Sequence, residues 1–133
     1  MIKQLIATIA ILFCAAQVHA TEYQFVAEDP SSSTRFCIAA GEGDLDELRY
    51  QIRKLRQSPH VQYKTIVNSI RCNGLIAAQF ANAHGAKDTF EYLYRLTDSK
   101  NRKQVGRTSV EEMALDQPDN DAPNVVIVRV SGR

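Results

Sequence analysis

Asp44-Leu45-Asp46-Glu47-Leu48-Arg49-Tyr50-Gln51-Ile52-Arg53-Lys54-Leu55-Arg56 decides the fold class. Leu45, Leu48, Ile52 and Leu55 recur at steps of three, four and three, which aligns them along one face of a helix. Asp44 and Glu47 stand at capping-box spacing, with Asp in place of the usual Ser or Thr. Arg49, Arg53, Lys54 and Arg56 gather toward the C-terminal end, where cations complement the helix dipole. A solvated basic face is the plainer reading of those four, ahead of a phosphate or partner site. The apolar stripe must be covered, so other helices are expected to pack on it.

They are found on both sides. Upstream, Pro30-Ser31-Ser32-Ser33 offers N-caps, and Thr34 to Ala40 reads as a short helix with Phe36, Cys37 and Ala40 inward, ended by Gly41. Downstream, Ser58-Pro59 opens a helix running to about Arg71, with Val61, Tyr63, Ile66, Val67 and Ile70 on it. Cys72-Asn73-Gly74 interrupts it, and Leu75 to Ala83 resumes the helix until His84-Gly85. Asp88 caps a last helix through Leu96 that buries Phe90, Leu93 and Tyr94. Leu48, Ile52, Leu55, Phe80, Phe90 and Leu93 are expected to form one core. Ala40-x-x-Gly43-x-x-Asp46 and Asn82-x-x-Gly85-x-x-Asp88 echo each other faintly. Two copies at that spacing are too few for a repeat solenoid. The expected fold is mainly α: a small bundle of two helical hairpins stapled by one disulfide, with a short C-terminal β-strand.

The ends of the chain read differently. Met1 to Gln4 carries Lys3, Leu5 to Ala16 is almost wholly apolar, and Val18-His19-Ala20 ends in a small-x-small step before Thr21. That is the pattern of a secretory signal peptide over residues 1–20, cleaved after Ala20. It places the protein in the periplasm. Of the 16 basic residues Lys3 lies in this segment, leaving 15 against 15 acids in the mature chain. A neutral balance argues against nucleic acid as a partner. Membrane attachment is expected only if Cys14 is lipidated, and Phe13 before it is larger than that signal accepts. Residues 21–97 are expected to form the stapled helical domain. Residues 98–133 read as a polar linker from Asp98 to Lys103, a short helix from Ser109 to Leu115 and a strand from Val125 to Val130. That strand needs a partner: either residues 22–26 or the edge of another periplasmic protein.

Cys37 and Cys72 are the cysteines left after cleavage, and an oxidising compartment favours a structural disulfide between them. Buried reduced thiols or one reactive thiol are the alternatives. His84, at a predicted helix end, is read as bonding the exposed carbonyls there. Glu111 and Glu112 are adjacent and point about 100° apart on a helix, which makes no acid–base pair. Asp116, Asp119 and Asp121 lack the Gly and closing Glu of a calcium loop. No metal-ligand spacing, phosphate loop or nucleophile elbow occurs, so neither cofactor nor metal is expected. The function read from this is a non-enzymatic interaction or adaptor module. The rival is a small thiol- or carboxylate-dependent enzyme using Cys72, His84 or a nearby acid.

Phe36-Cys37-Ile38-Ala39-Ala40, Ile70-Arg71-Cys72-Asn73-Gly74 and Phe80-Ala81-x-x-x-Gly85-Ala86-x-x-Thr89, with the basic helix between, resemble a family of small exported gammaproteobacterial proteins of unknown function. The resemblance covers about residues 34–96. It implies a helical domain with two paired cysteines and no activity that can be carried over.

Overall fold

A computed structural model describes residues 21–105 and 125–133. Its elements run β1 (Glu22–Ala27), α1 (Ser32–Glu42), α2 (Leu45–Leu55), α3 (Tyr63–Ser69), β2 (Arg71–Cys72), β3 (Leu75–Ile76), α4 (Ala77–Ala83), α5 (Lys87–Leu96), α6 (Ser99–Val105) and β4 (Val125–Val130). The fold is mainly helical. Caps fix the first two helices: the Ser31 hydroxyl accepts from Thr34 N at 3.2 Å, and the Asp44 carboxylate accepts from Glu47 N at 3.0 Å. Glu47 does not close a reciprocal box; its carboxylate accepts instead from Gln51 Nε2 at 2.6 Å.

Helix α1 continues past Gly41, contrary to the sequence reading, and ends at Gly43, whose φ of 78° suits a left-handed cap. Gly41 serves packing instead. A Cβ there would fall 2.7 Å from the Phe25 ring and 2.8 Å from that of Phe80. The helix expected from Pro59 begins only at Tyr63, after a turn held by Val61 N donating to the Ser58 carbonyl. Leu75 and Ile76 are strand rather than helix. Asn73 and Gly74, at φ 50° and 81°, form the tight turn that folds β3 back antiparallel on β2. Two consecutive positive φ values are what a two-residue type I′ hairpin demands, and Asn-Gly is its preferred sequence.

The core holds Phe36, Leu48, Ile52, Phe80 and Leu93, all fully buried, with Leu55 and Phe90 packed at its margin. Burying each such large side chain contributes about 1.5–3 kcal/mol. Tyr94 departs from the expected inward set and is exposed. Its ring lies against Phe90 and under the Arg102 guanidinium. Helix α1 packs on α2, α4 and β1, and α4 packs on α5. Thr89 ties α5 to α1 by donating to the Ala40 carbonyl at 2.6 Å.

Beyond residue 97 the polar stretch is a helix, not a linker. Asp98 starts α6 by accepting from Asn101 N at 2.8 Å, and Asn68 accepts from both Asp98 N and the Asn101 amide. Val105 and Val130 are buried in the same core as the helices, so packing crosses the boundary expected at 97. Strand β4 pairs with β1 in parallel, Glu22 opposite Val125 through Ala27 opposite Val130. The signal segment, Cys14, the 109–115 helix, Glu111, Glu112 and the Asp116–Asp121 turn lie outside the described residues.

Candidate functional site

The β1–β4 sheet and the segment that straps it down bring together the chain's least expected contacts. Register puts Tyr23, Phe25 and Ala27 on one face with Val126, Val128 and Val130. That face meets the helices: Phe25 packs 6.0 Å from the Phe80 ring, centroid to centroid, and Val130 is fully buried. The opposite face carries Val26, Val125, Ile127 and Arg129. Val26 is 44% exposed and Ile127 61%, and with Ala27, Glu28 and Arg129 they line a shallow surface cleft.

One end of the β4 edge is closed. Glu28 N donates to the Val130 carbonyl, so the backbone groups of Val130 face β1 and those of Arg129 and Ser131 face away. The Asn73 side chain reads that outward edge as another strand would. Its Nδ2 donates to the Arg129 carbonyl at 2.8 Å and its Oδ1 accepts from Ser131 N at 2.8 Å. Backbone pairing continues the join: Asn73 N to Ser131 O, Arg71 N to Arg133 O and Arg133 N to Arg71 O. The same alternation turns the backbone groups of Val125 and Ile127 to this edge, and no bond from the described residues reaches them.

Gly132 passes directly under the start of α1. A Cβ there would lie 2.3 Å from the carbonyl carbon and oxygen of Ser33, so the position has room for glycine alone. Gly132 N donates to Thr34 Oγ1 at 3.0 Å, and Thr34 Oγ1 donates to Asp29 at 2.8 Å. Hydrogen bonds from Ser31 and Thr34 hold the Asp29 carboxyl below the usual carboxylate range.

Beneath the strap lie Cys37 and Cys72, fully buried, their sulfurs 2.03 Å apart and their Cα atoms 5.4 Å apart. That is disulfide distance, and it leaves neither sulfur exposed as a nucleophile. His84 caps α4, as its place at a helix end implied: Nδ1 lies 2.8 Å from the Phe80 carbonyl. A carbonyl only accepts, so Nδ1 carries the proton. Nε2 is buried with no partner among the described residues, and Tyr23, Phe25 and Phe80 surround the ring at 4.8, 5.0 and 4.4 Å. Burial pushes the His84 pKa below the ordinary imidazole value, opposed only by the bond to Phe80. Among the described residues, no group of three or more His, Cys, Asp or Glu could hold a metal ion.

Sequence reasoning singled out Cys37, Cys72 and His84 but missed Asn73, Thr34, Asp29 and Gly132. Asn73-Gly74 between two short apolar steps was a recognisable hairpin signal. Nothing local marks Gly132, whose constraint comes from Ser33, far away in sequence.

Fold and site together define a small helical domain with a buried cysteine pair at disulfide distance, overlaid by a two-stranded parallel sheet. The chain belongs to the family DUF3718, described as protein of unknown function, whose sequence pattern matches residues 36–115. The match extends beyond residue 96, where the family resemblance was expected to stop. No curated protein and no solved structure matches the chain.

Proposed function

We propose that this protein is an exported, non-enzymatic interaction module that binds an extended segment of another periplasmic protein along β4. The observation that carries this is the outer face of the β1–β4 sheet, where Val26 and Ile127 stand exposed, together with a β4 edge that no described residue covers at Val125 and Ile127. A two-stranded sheet is smaller than most, and an unpaired edge is a template for strand addition. The fitting partner segment is extended and alternates apolar residues, so that every second side chain lies beside Ile127 on the outer face. Glu28 and Arg129 flank the cleft and would set its polar register.

The pairing of β4 with β1 removes the earlier ground for an interaction role, a strand short of any partner. The part of its edge that no described residue covers replaces that ground. Export rests on the residues 1–20 pattern. It is supported by the cysteine pair, which an oxidising compartment would close, and no described helix is long and apolar enough to cross a membrane. We read the helices as two hairpins, α1–α2 and α4–α5, and the family as exported gammaproteobacterial proteins sharing the Cys-Asn-Gly turn. The clamp that Asn73 makes on β4 gives that turn a structural task.

A random peptide library displayed on phage and panned on the mature protein tests the docking. Selected peptides should alternate apolar residues and shift the backbone amide signals of Val125 and Ile127. Ile127→Asp, at an exposed position, should abolish their binding. Peptides that bind Ile127→Asp equally well overturn the proposal. So does a dimer in sedimentation that Ile127→Asp dissolves, because the occupant would then be a second copy.

A further inference from the structure

We propose that His84 is a pH-operated latch: neutral, it holds the β1–β4 sheet against the helices, and on taking up a proton it releases the sheet. The latch would regulate the docking sheet proposed above, but its test reads the fold and not binding, so either idea can fail alone.

The argument starts from what surrounds the ring. His84 is 7% exposed and is the one ionisable side chain among the buried residues described. It belongs to α4 by its cap bond, yet two of its three ring neighbours, Tyr23 and Phe25, come from β1. The third, Phe80, also touches Phe25, so the four rings form the joint between sheet and helix. The neutral ring suits this place. Nδ1–H has its acceptor in the Phe80 carbonyl, and Nε2 presents a bare lone pair to apolar surroundings.

A second proton has no such place. It would make Nε2 a charged donor, buried, with no acceptor for it among the described residues. The ionisable groups on the packed elements do not supply one. Helix α4, Ala77–Ala83, contains none. On β1, Glu22 belongs to the outer face, and the Tyr23 ring meets His84 edge-on. Helix α5 opens with Lys87, a like charge, and Asp88, both exposed, and Arg35 and Glu42 of α1 are exposed as well. Aromatic faces attract a cation. Here that attraction loses to burial, since the imidazole is held below its ordinary 6.5.

The sign follows. The unfolded or undocked ring binds its proton near pH 6.5, and the docked ring binds it lower. Docking is therefore at full strength above pH 6.5 and weakens as the pH falls from there through the docked ring's own value. One proton is linked, so the opening constant of the sheet should rise by up to about tenfold per pH unit in that window.

Amide hydrogen exchange on the full mature protein between pH 7.5 and 4.5, corrected for intrinsic rates, reads this out. Protection of Glu28 and Val130 should fall by up to about tenfold per pH unit below 6.5, while that of Ile52 in α2 holds. The His84 ring signals should titrate over the same range. In His84→Phe the dependence should vanish; His84→Gln, smaller and also uncharged, serves the same purpose. Sheet protection that does not change with pH in the unmodified protein overturns the latch. So does a pH dependence that survives in either variant.

Discussion

Replacing Gly132 with Ala isolates the strap from everything else in the fold. The new Cβ would stand 2.3 Å from Ser33 C and O and 2.6 Å from Thr34 N. Carbon contacts settle at about 3.5–4.0 Å, so the strap or the start of α1 must retreat by about 1 Å. The atoms in the way are backbone, anchored by the Ser31 cap, and cannot rotate aside as a side chain would. A retreat of that size breaks the Gly132–Thr34 bond of 3.0 Å and opens the two Arg71–Arg133 bonds of 2.7 and 3.0 Å. Three hydrogen bonds at about 1 kcal/mol each set a loss near 3 kcal/mol. Overpacking alone costs a similar 1–3 kcal/mol, so the two estimates describe one event and do not add. Against this, Ala narrows the unfolded ensemble by about 0.4–1 kcal/mol. The net expectation is a loss of about 2 kcal/mol, measured by urea unfolding followed by circular dichroism. Ser131→Ala, whose bonds in the strap are all backbone, should change stability by less than about 0.5 kcal/mol. A Gly132→Ala protein within that same margin of the original would refute the steric argument.

Two further expectations concern the core and the cysteines. Phe80→Ala should cost about 3–5 kcal/mol in the same assay, because its ring touches Phe25 and His84 and is fully buried, whereas Tyr94→Ala on the next helix should cost less than about 1 kcal/mol. Equal losses would mean the buried face is wrongly assigned. Protein purified from the periplasm should have an intact mass starting at Thr21 and lacking two hydrogens, with no free thiol after denaturation; reduction should then cost about 4 kcal/mol for a cross-link spanning 35 residues. A mass that begins at an acylated Cys14, or two titratable thiols, would contradict this.

The helices were legible because their signals are local. The Leu45, Leu48, Ile52 and Leu55 stripe, the Asp44 cap and the Gly-terminated ends each lie within a few residues of what they determine. Boundaries failed where packing overrode them. Gly41 looked like a stop but is small because Phe25 and Phe80 lie over it. Leu75 and Ile76 matched helical spacing, yet the Asn73-Gly74 turn made them strand. Tyr94 fell on the expected inward side but stacks with Arg102 at the surface. The sheet was half legible: its two strands were visible from composition, and their being each other's partner was one of two options. The strap was not legible at all. Its requirements at Asn73 and Gly132 arise between residues about 60 to 100 positions apart, and no local pattern encodes such a contact.

The pairing of Glu22 with Val125 has a kinetic consequence. Helices α1 to α5 are joined by short connections and can find one another soon after each is made. The sheet cannot: its strands close a loop of roughly a hundred residues, and that search is slow relative to helix docking. A folding chain would therefore bring its helices together before β4 takes its place beside β1. The same ordering read backwards makes the sheet the first cooperative unit to come away, at a free energy below that of global unfolding. Losing the sheet uncovers Val130 and the Phe25 ring, so that step removes part of the core as well as the two strands.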